Sequence, residues 1–231
     1  GFANPWDAFA SAGRLDAFPY SGPMLAILAA PQALATLVLP GFVRDSEAFR
    51  LFLVRLPMLA ADLAVFAVLC RWFADRRDRV LWLYWCSPIL FYISYVHGQI
   101  DVIPSAFLFL SLLALFSGRE LAAGVLLGVG LGTKLHLLVV LPFVAVHLVK
   151  GPARSRSRTR RATLFFGAVA ATTALLIGPL LPSDGYRAMV LGTSETQRLF
   201  ELAVPLAGSL VLYAGPAALV LLFLRFLSSS R

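Results

Sequence analysis

Long apolar runs separated by short polar breaks dominate this chain. The runs lie at about 23–40, 51–70, 80–96, 102–117, 121–149, 162–182 and 203–224. Several approach or exceed the ~17–25 residues that a membrane-spanning helix needs. They are continuously apolar and lack period-two alternation, which argues against a β-barrel. The pattern predicts an all-α fold, a polytopic transmembrane helical bundle of about seven to eight apolar segments. Residues 1–22 then form an interfacial or external loop, and 23–231 a single transmembrane helical domain.

The breaks refine this picture. Phe2, Pro5-Trp6-Asp7 and Phe18-Pro19-Tyr20 suit an interfacial loop or a short amphipathic helix. Run 23–40 is broken by Pro31-Gln32 and ended by Pro40-Gly41, so it either spans or re-enters. Residues 41–50 read as a polar loop, and 117–120 (Ser-Gly-Arg-Glu) as a turn. Run 121–149 is either one long helix or a hairpin broken near Gly132. The hairpin is preferred, because it puts the basic loops 71–79 and 150–161 on one side, as cytoplasmic loops enriched in Lys and Arg should be. Residues 183–200 form a polar loop before the final span. Gly and Ala recur in 122–132 and 167–174, a composition suited to close helix packing.

Composition supports the membrane reading. The chain is 59% hydrophobic and 14% charged, with a mean hydropathy of +0.82; soluble domains carry about 25% charged residues. The net charge of +8 would suggest nucleic acid in a soluble protein, but its clustering in short loops is explained by membrane topology, and no nucleic-acid partner is expected. Cys70 and Cys86 offer neither a disulfide framework nor metal-ligand spacing. Three His without paired spacing argue against an intrinsic metal site. The chain starts at Gly1, and a further membrane span upstream is expected.

Candidate chemistry lies where polar residues interrupt hydrocarbon. His97, Gln99 and Asp101 fall between runs 80–96 and 102–117, Lys134 and His136 interrupt 121–149, and Asp62 sits near the middle of 51–70. An ionisable residue at such depth is costly unless paired, wet or functional. Structural roles compete with functional ones. Asp62 either pairs with Arg55 or another helix, or serves a site. Asp101 is suited to cap the helix starting at Val102, which does not exclude a role in a site. Arg55, near its run's end, can snorkel.

The order of motifs carries a resemblance. Phe18-Pro19-Tyr20 leads into the first run, Leu56-Pro57-Met58-Leu59-Ala60-Ala61-Asp62-Leu63 follows, and Cys86-Ser87-Pro88 precedes His97-Gly98-Gln99-Ile100-Asp101. Ala122-Ala123-Gly124 to Gly132-Thr133-Lys134 then runs on to Leu141-Pro142. Over residues 18–149 this resembles the GT-C superfamily of polytopic membrane glycosyltransferases, including bacterial mannosyl- and arabinosyltransferase-like proteins and dolichyl-phosphate-sugar-dependent enzymes. The resemblance implies transfer of a sugar from a polyprenyl-phosphate carrier to a lipid-linked or cell-envelope glycan acceptor, in a bacterial plasma membrane. It implies a loop carboxylate as general base, for which Asp7 is the stand-in, and it makes Asp101 the second catalytic candidate. His97, Gln99, Lys134, His136 and Asp62 become candidate substrate-binding residues. Some relatives use a divalent cation, so the resemblance allows Mg or Mn as a cofactor. Two rival classes are a transporter or flippase for a lipid or solute, since intramembrane Asp and Lys also mark solute paths, and a non-catalytic membrane scaffold subunit.

Overall fold

The computed structural model describes residues 4–150, 157–192, 203–207 and 210–229. They are mostly helical, with one short antiparallel strand pair. The basic loop 150–161 and the polar loop 183–200 lie partly outside the described residues. The chain divides into two compact units. One comprises residues 21–137 and 163–178; the other comprises 1–20, 138–162 and 179–231.

The first unit is a helical bundle. α2 (Gly22–Val38) covers run 23–40 as one helix with Pro31 inside it. α3 (Pro40–Asp45) and α4 (Glu47–Trp72) replace most of the polar loop expected at 41–50. Ser46 alone breaks them, and its hydroxyl accepts from the Phe49 N–H and so caps α4. With 26 residues, α4 is about 39 Å long. Run 80–96 is not one span but two short pieces. α5 (Arg77–Val80) continues into a π-helical turn at Leu81–Trp85, and α6 (Pro88–Phe91) into another at Tyr92–Val96. Pro88 has no N–H to donate and drives Ser87 into an extended conformation, ψ 117°. α7 (Val102–Phe116) and α8 (Glu120–Thr133) follow, joined by the turn expected at 117–120.

The glycine-rich face of α8 explains how this bundle closes. α10 (Arg158–Ile177) packs on it through residues 165–176. A Cβ on Gly124 would strike the Phe165 carbonyl oxygen and come within 2.7 Å of the Ala168 Cβ; on Gly128 it would meet the Thr172 Cβ at 2.7 Å. Lipid tails are as apolar as Leu, so close backbone approach of this kind holds membrane helices together better than apolar area does. On the other side of α8, the Ser111 hydroxyl of α7 donates to the Ala123 carbonyl at 2.7 Å. Leu115 of α7 and Leu127 and Leu131 of α8 are buried.

In the second unit, α1 (Pro5–Ser11) is capped by the Asn4 side chain. It packs on α11 (Asp184–Tyr186), which runs into a π-helical turn at Arg187–Leu191. Trp6 is buried with its ring edge-on to Tyr186, and its indole N–H donates to the Tyr20 carbonyl. The run 121–149 is not a single helix: after α8 the backbone turns extended at Lys134 (φ −154°, ψ 122°), then forms a 3₁₀ stretch, Leu135–Val140, and α9 (Leu141–Lys150). The final span expected at 203–224 is corrected too. β1 (Ala203–Ala207) pairs antiparallel with β2 (Leu210–Tyr213), and only α12 (Ala214–Ser229) is helical. Pro205, which cannot donate to a helix or a ladder, sits at the register shift in that pair. Phe143 of α9 packs against Phe223 and Phe226 of α12.

Among the described residues two helical stretches, Glu47–Trp72 and Arg158–Leu180, are long and apolar enough to cross a membrane. Five further apolar helices are shorter, at 10–17 residues. Only 22% of the apolar window of either long stretch is buried within the protein, whereas a core helix of a soluble protein would be mostly covered. Leu37, Leu83, Ile89 and Leu175 are each more than 70% exposed.

Candidate functional site

The break after α6 owes its shape to Gly98, whose φ of +81° is reached without strain only by glycine. The chain there leaves the π-helical turn, with the Gln99 N–H donating back to the Ile93 carbonyl, and re-enters a helix at Val102. Asp101 does not cap that helix through its side chain. Its Oδ1 instead accepts from the Lys134 ammonium at 2.8 Å. Two polar breaks 33 residues apart thus meet in one ion pair. The Lys134 side chain is 16% exposed and that of Asp101 40%, so the pair is sheltered at the lysine and open at the carboxylate. The extended backbone of Lys134 at the end of α8 releases its side chain from the helical path.

His97 and Gln99 are exposed, and among the described residues neither side chain hydrogen-bonds to this pair. His136 is exposed on the 3₁₀ stretch two residues past Lys134. Of the five substrate-binding candidates, Lys134 bonds to the catalytic candidate Asp101, whereas Asp62 bonds to Tyr84 and Tyr95.

Asp62 does not pair with Arg55. Its Oδ1 accepts from the Tyr84 hydroxyl at 2.5 Å and its Oδ2 from the Tyr95 hydroxyl at 2.9 Å. These three side chains line a cavity of about 260 Å³ with Leu59, Trp85, Leu90 and Phe91. On the other face of α4, Pro57, Ala60, Ala61 and Ala64 line a wholly apolar cavity of about 320 Å³ with Ile27, Ile103 and Ala106.

Asp7, in the other unit, is held by the segment that follows α10. Its Oδ1 accepts from the Ser183 hydroxyl at 2.7 Å and from the Gly185 N–H at 2.9 Å. Ser183 in turn caps α11, accepting from the Tyr186 N–H. Gly185 lies so close to the Trp6 backbone that a Cβ would come within 2.5 Å of its oxygen. Asp7 is exposed, and its Oδ2 has no hydrogen-bond donor among the described residues. One oxygen is thus anchored and the other is left open. Among the described residues no three His, Cys, Asp or Glu side chains come together, so no protein cage for a divalent ion is formed there.

Sequence reasoning missed Tyr84, Tyr95, Ser183 and Gly185. The first two were legible only as polar tips within an apolar run. Ser183-Asp184-Gly185 carried a helix-cap signal inside what read as a loop. Comparison with family models, curated proteins and solved structures gives no match for this chain.

Proposed function

We propose that this chain is a multi-pass integral membrane glycosyltransferase, moving a sugar from a polyprenyl-phosphate carrier to a lipid-linked or cell-envelope glycan acceptor. The observation that carries the reading is the Asp101–Lys134 pair. It joins the two motifs that most resemble GT-C enzymes, and it offers an ammonium that can neutralise charge developing on a departing lipid phosphate. Support for the membrane setting comes from the two long apolar helices and their mostly uncovered surfaces.

The resemblance implies a loop carboxylate as the base, with Asp7 as its stand-in. An acceptor hydroxyl is a poor nucleophile until its proton is taken. As its oxygen bonds to the anomeric carbon, the O–H proton passes to that base. The bond from that carbon to the phosphate oxygen breaks, and its electron pair leaves on the lipid phosphate. Anchoring Oδ1 of Asp7 by Ser183 and Gly185 fixes the carboxylate's orientation, as a positioned base requires.

The test is transfer from a panel of radiolabelled polyprenyl-phosphate sugars by the full chain in lipid, with Asp101→Ala as the control. Labelled product that disappears in the control is the expected result. Turnover unchanged by Asp101→Ala would remove the pair from the site. Absence of turnover and donor binding, across a panel that includes mannosyl and arabinosyl donors, would favour the transporter class.

A further inference from the structure

Asp62 presents an unbalanced charge. Its two oxygens accept from phenols, which are neutral, and among the described residues no Lys, Arg or His pairs with it. It lies on a long apolar helix, where a carboxylate without a counter-charge is costly. The cavity it faces is otherwise walled by Tyr84, Trp85, Phe91 and Tyr95, with Leu59 and Leu90. The aromatic walls are braced. Tyr84 and Tyr95 are tied to the carboxylate, the Phe91 and Tyr95 rings lie 5.6 Å apart, and Trp85 rests on Phe66 at 5.3 Å.

From this geometry we infer that the Asp62 cavity binds a small organic ammonium ion, with Asp62 supplying the counter-charge and the aromatic walls the cation–π contacts. Aromatic faces around a cation are the usual way to hold quaternary ammonium groups. Hard metal ions instead need several oxygen ligands, and this cavity offers one carboxylate whose oxygens already accept phenol protons. At about 260 Å³ it lies just under the ~300–1,000 Å³ range of ligand pockets, a size for a small head group. Its test reads binding of the ammonium ion and does not require turnover.

Equilibrium binding of radiolabelled choline to the purified full chain tests it, with 3,3-dimethyl-1-butanol as the neutral isostere. Saturable choline binding that the isostere does not displace is expected. Asp62→Asn should abolish it, and Trp85→Leu should weaken it about tenfold. Tyr84→Phe with Tyr95→Phe keeps the rings and the charge, and should stay within about threefold of wild type. In nanodiscs, suppression of choline binding by phosphatidylcholine but not phosphatidylglycerol assigns the site to a lipid head group. Equal binding in both assigns it to a free solute. Displacement by the neutral isostere, undiminished binding in folded Asp62→Asn, or no saturable binding by wild type overturns the proposal.

Discussion

Asp7, Asp62 and Asp101 are three aspartates with three different solutions to the same electrostatic problem. Asp101 takes a cation, Asp62 takes two phenols, and Asp7 takes a hydroxyl and a backbone N–H at one oxygen. Each arrangement has a measurable consequence. Because Asn retains an Oδ1 acceptor, Asp7→Asn should keep the contacts to Ser183 and Gly185 and so the fold. It should still lower sugar transfer by about 10²–10⁴-fold, the usual share of a general base. Unchanged transfer would take the base role from Asp7. The Asp101–Lys134 pair, half sheltered, should show a coupling of about 1 kcal/mol in a double-mutant cycle on unfolding, between the values for exposed and buried pairs. Zero coupling would mark it as an incidental contact. The sequence singled out Asp62 and Asp101 because charge in hydrocarbon stands out, and Asp7 only through the resemblance to GT-C enzymes. It did not reveal their partners, since Tyr84 and Tyr95 lie 22 and 33 residues from Asp62, and Ser183 lies 176 from Asp7.

At the scale of elements, propensity and punctuation were legible where local chemistry decides. The end of α7, the turn to α8 and the break at Lys134 all follow from Gly and polar residues in the sequence. Pro88 was equally visible, but the apolar content of 80–96 outweighed it in the reading, and the run proved to be two short pieces. Hydropathy alone cannot separate a span from two buried or interfacial turns of similar composition. The same ambiguity concealed β1 and β2 within 203–224. The Gly and Ala enrichment of α8 and α10 was a sounder guide, because contact distance depends directly on side-chain size. Gly124→Ala should destabilise the chain by about 1–3 kcal/mol through overpacking against Phe165 and Ala168. Gly167→Ala meets nothing within 4 Å and should be neutral or gain up to about 1 kcal/mol from helix propensity. Thermal unfolding in matched detergent compares the two; equal effects would show that α8 and α10 are not in close contact.

For the whole molecule, hydropathy leads to lipid and charge distribution to orientation. Leu37, Leu83 and Leu175 should be reached by a lipid-soluble label and not by a water-soluble one, since they are exposed on apolar helices. Single-cysteine variants at these positions, in a background where Cys70 and Cys86 are replaced, check this. Labelling from water at all three would contradict the membrane setting. The functional claim rests on Asp101 and Lys134 acting as one unit. Its most direct test is the rate of sugar transfer by wild type, Asp101→Asn, Lys134→Met and the double variant, reconstituted in vesicles. The expected result is a loss of about a hundredfold or more in each single variant, with the double variant no slower than the worse single. Single variants that transfer sugar at the wild-type rate would contradict it.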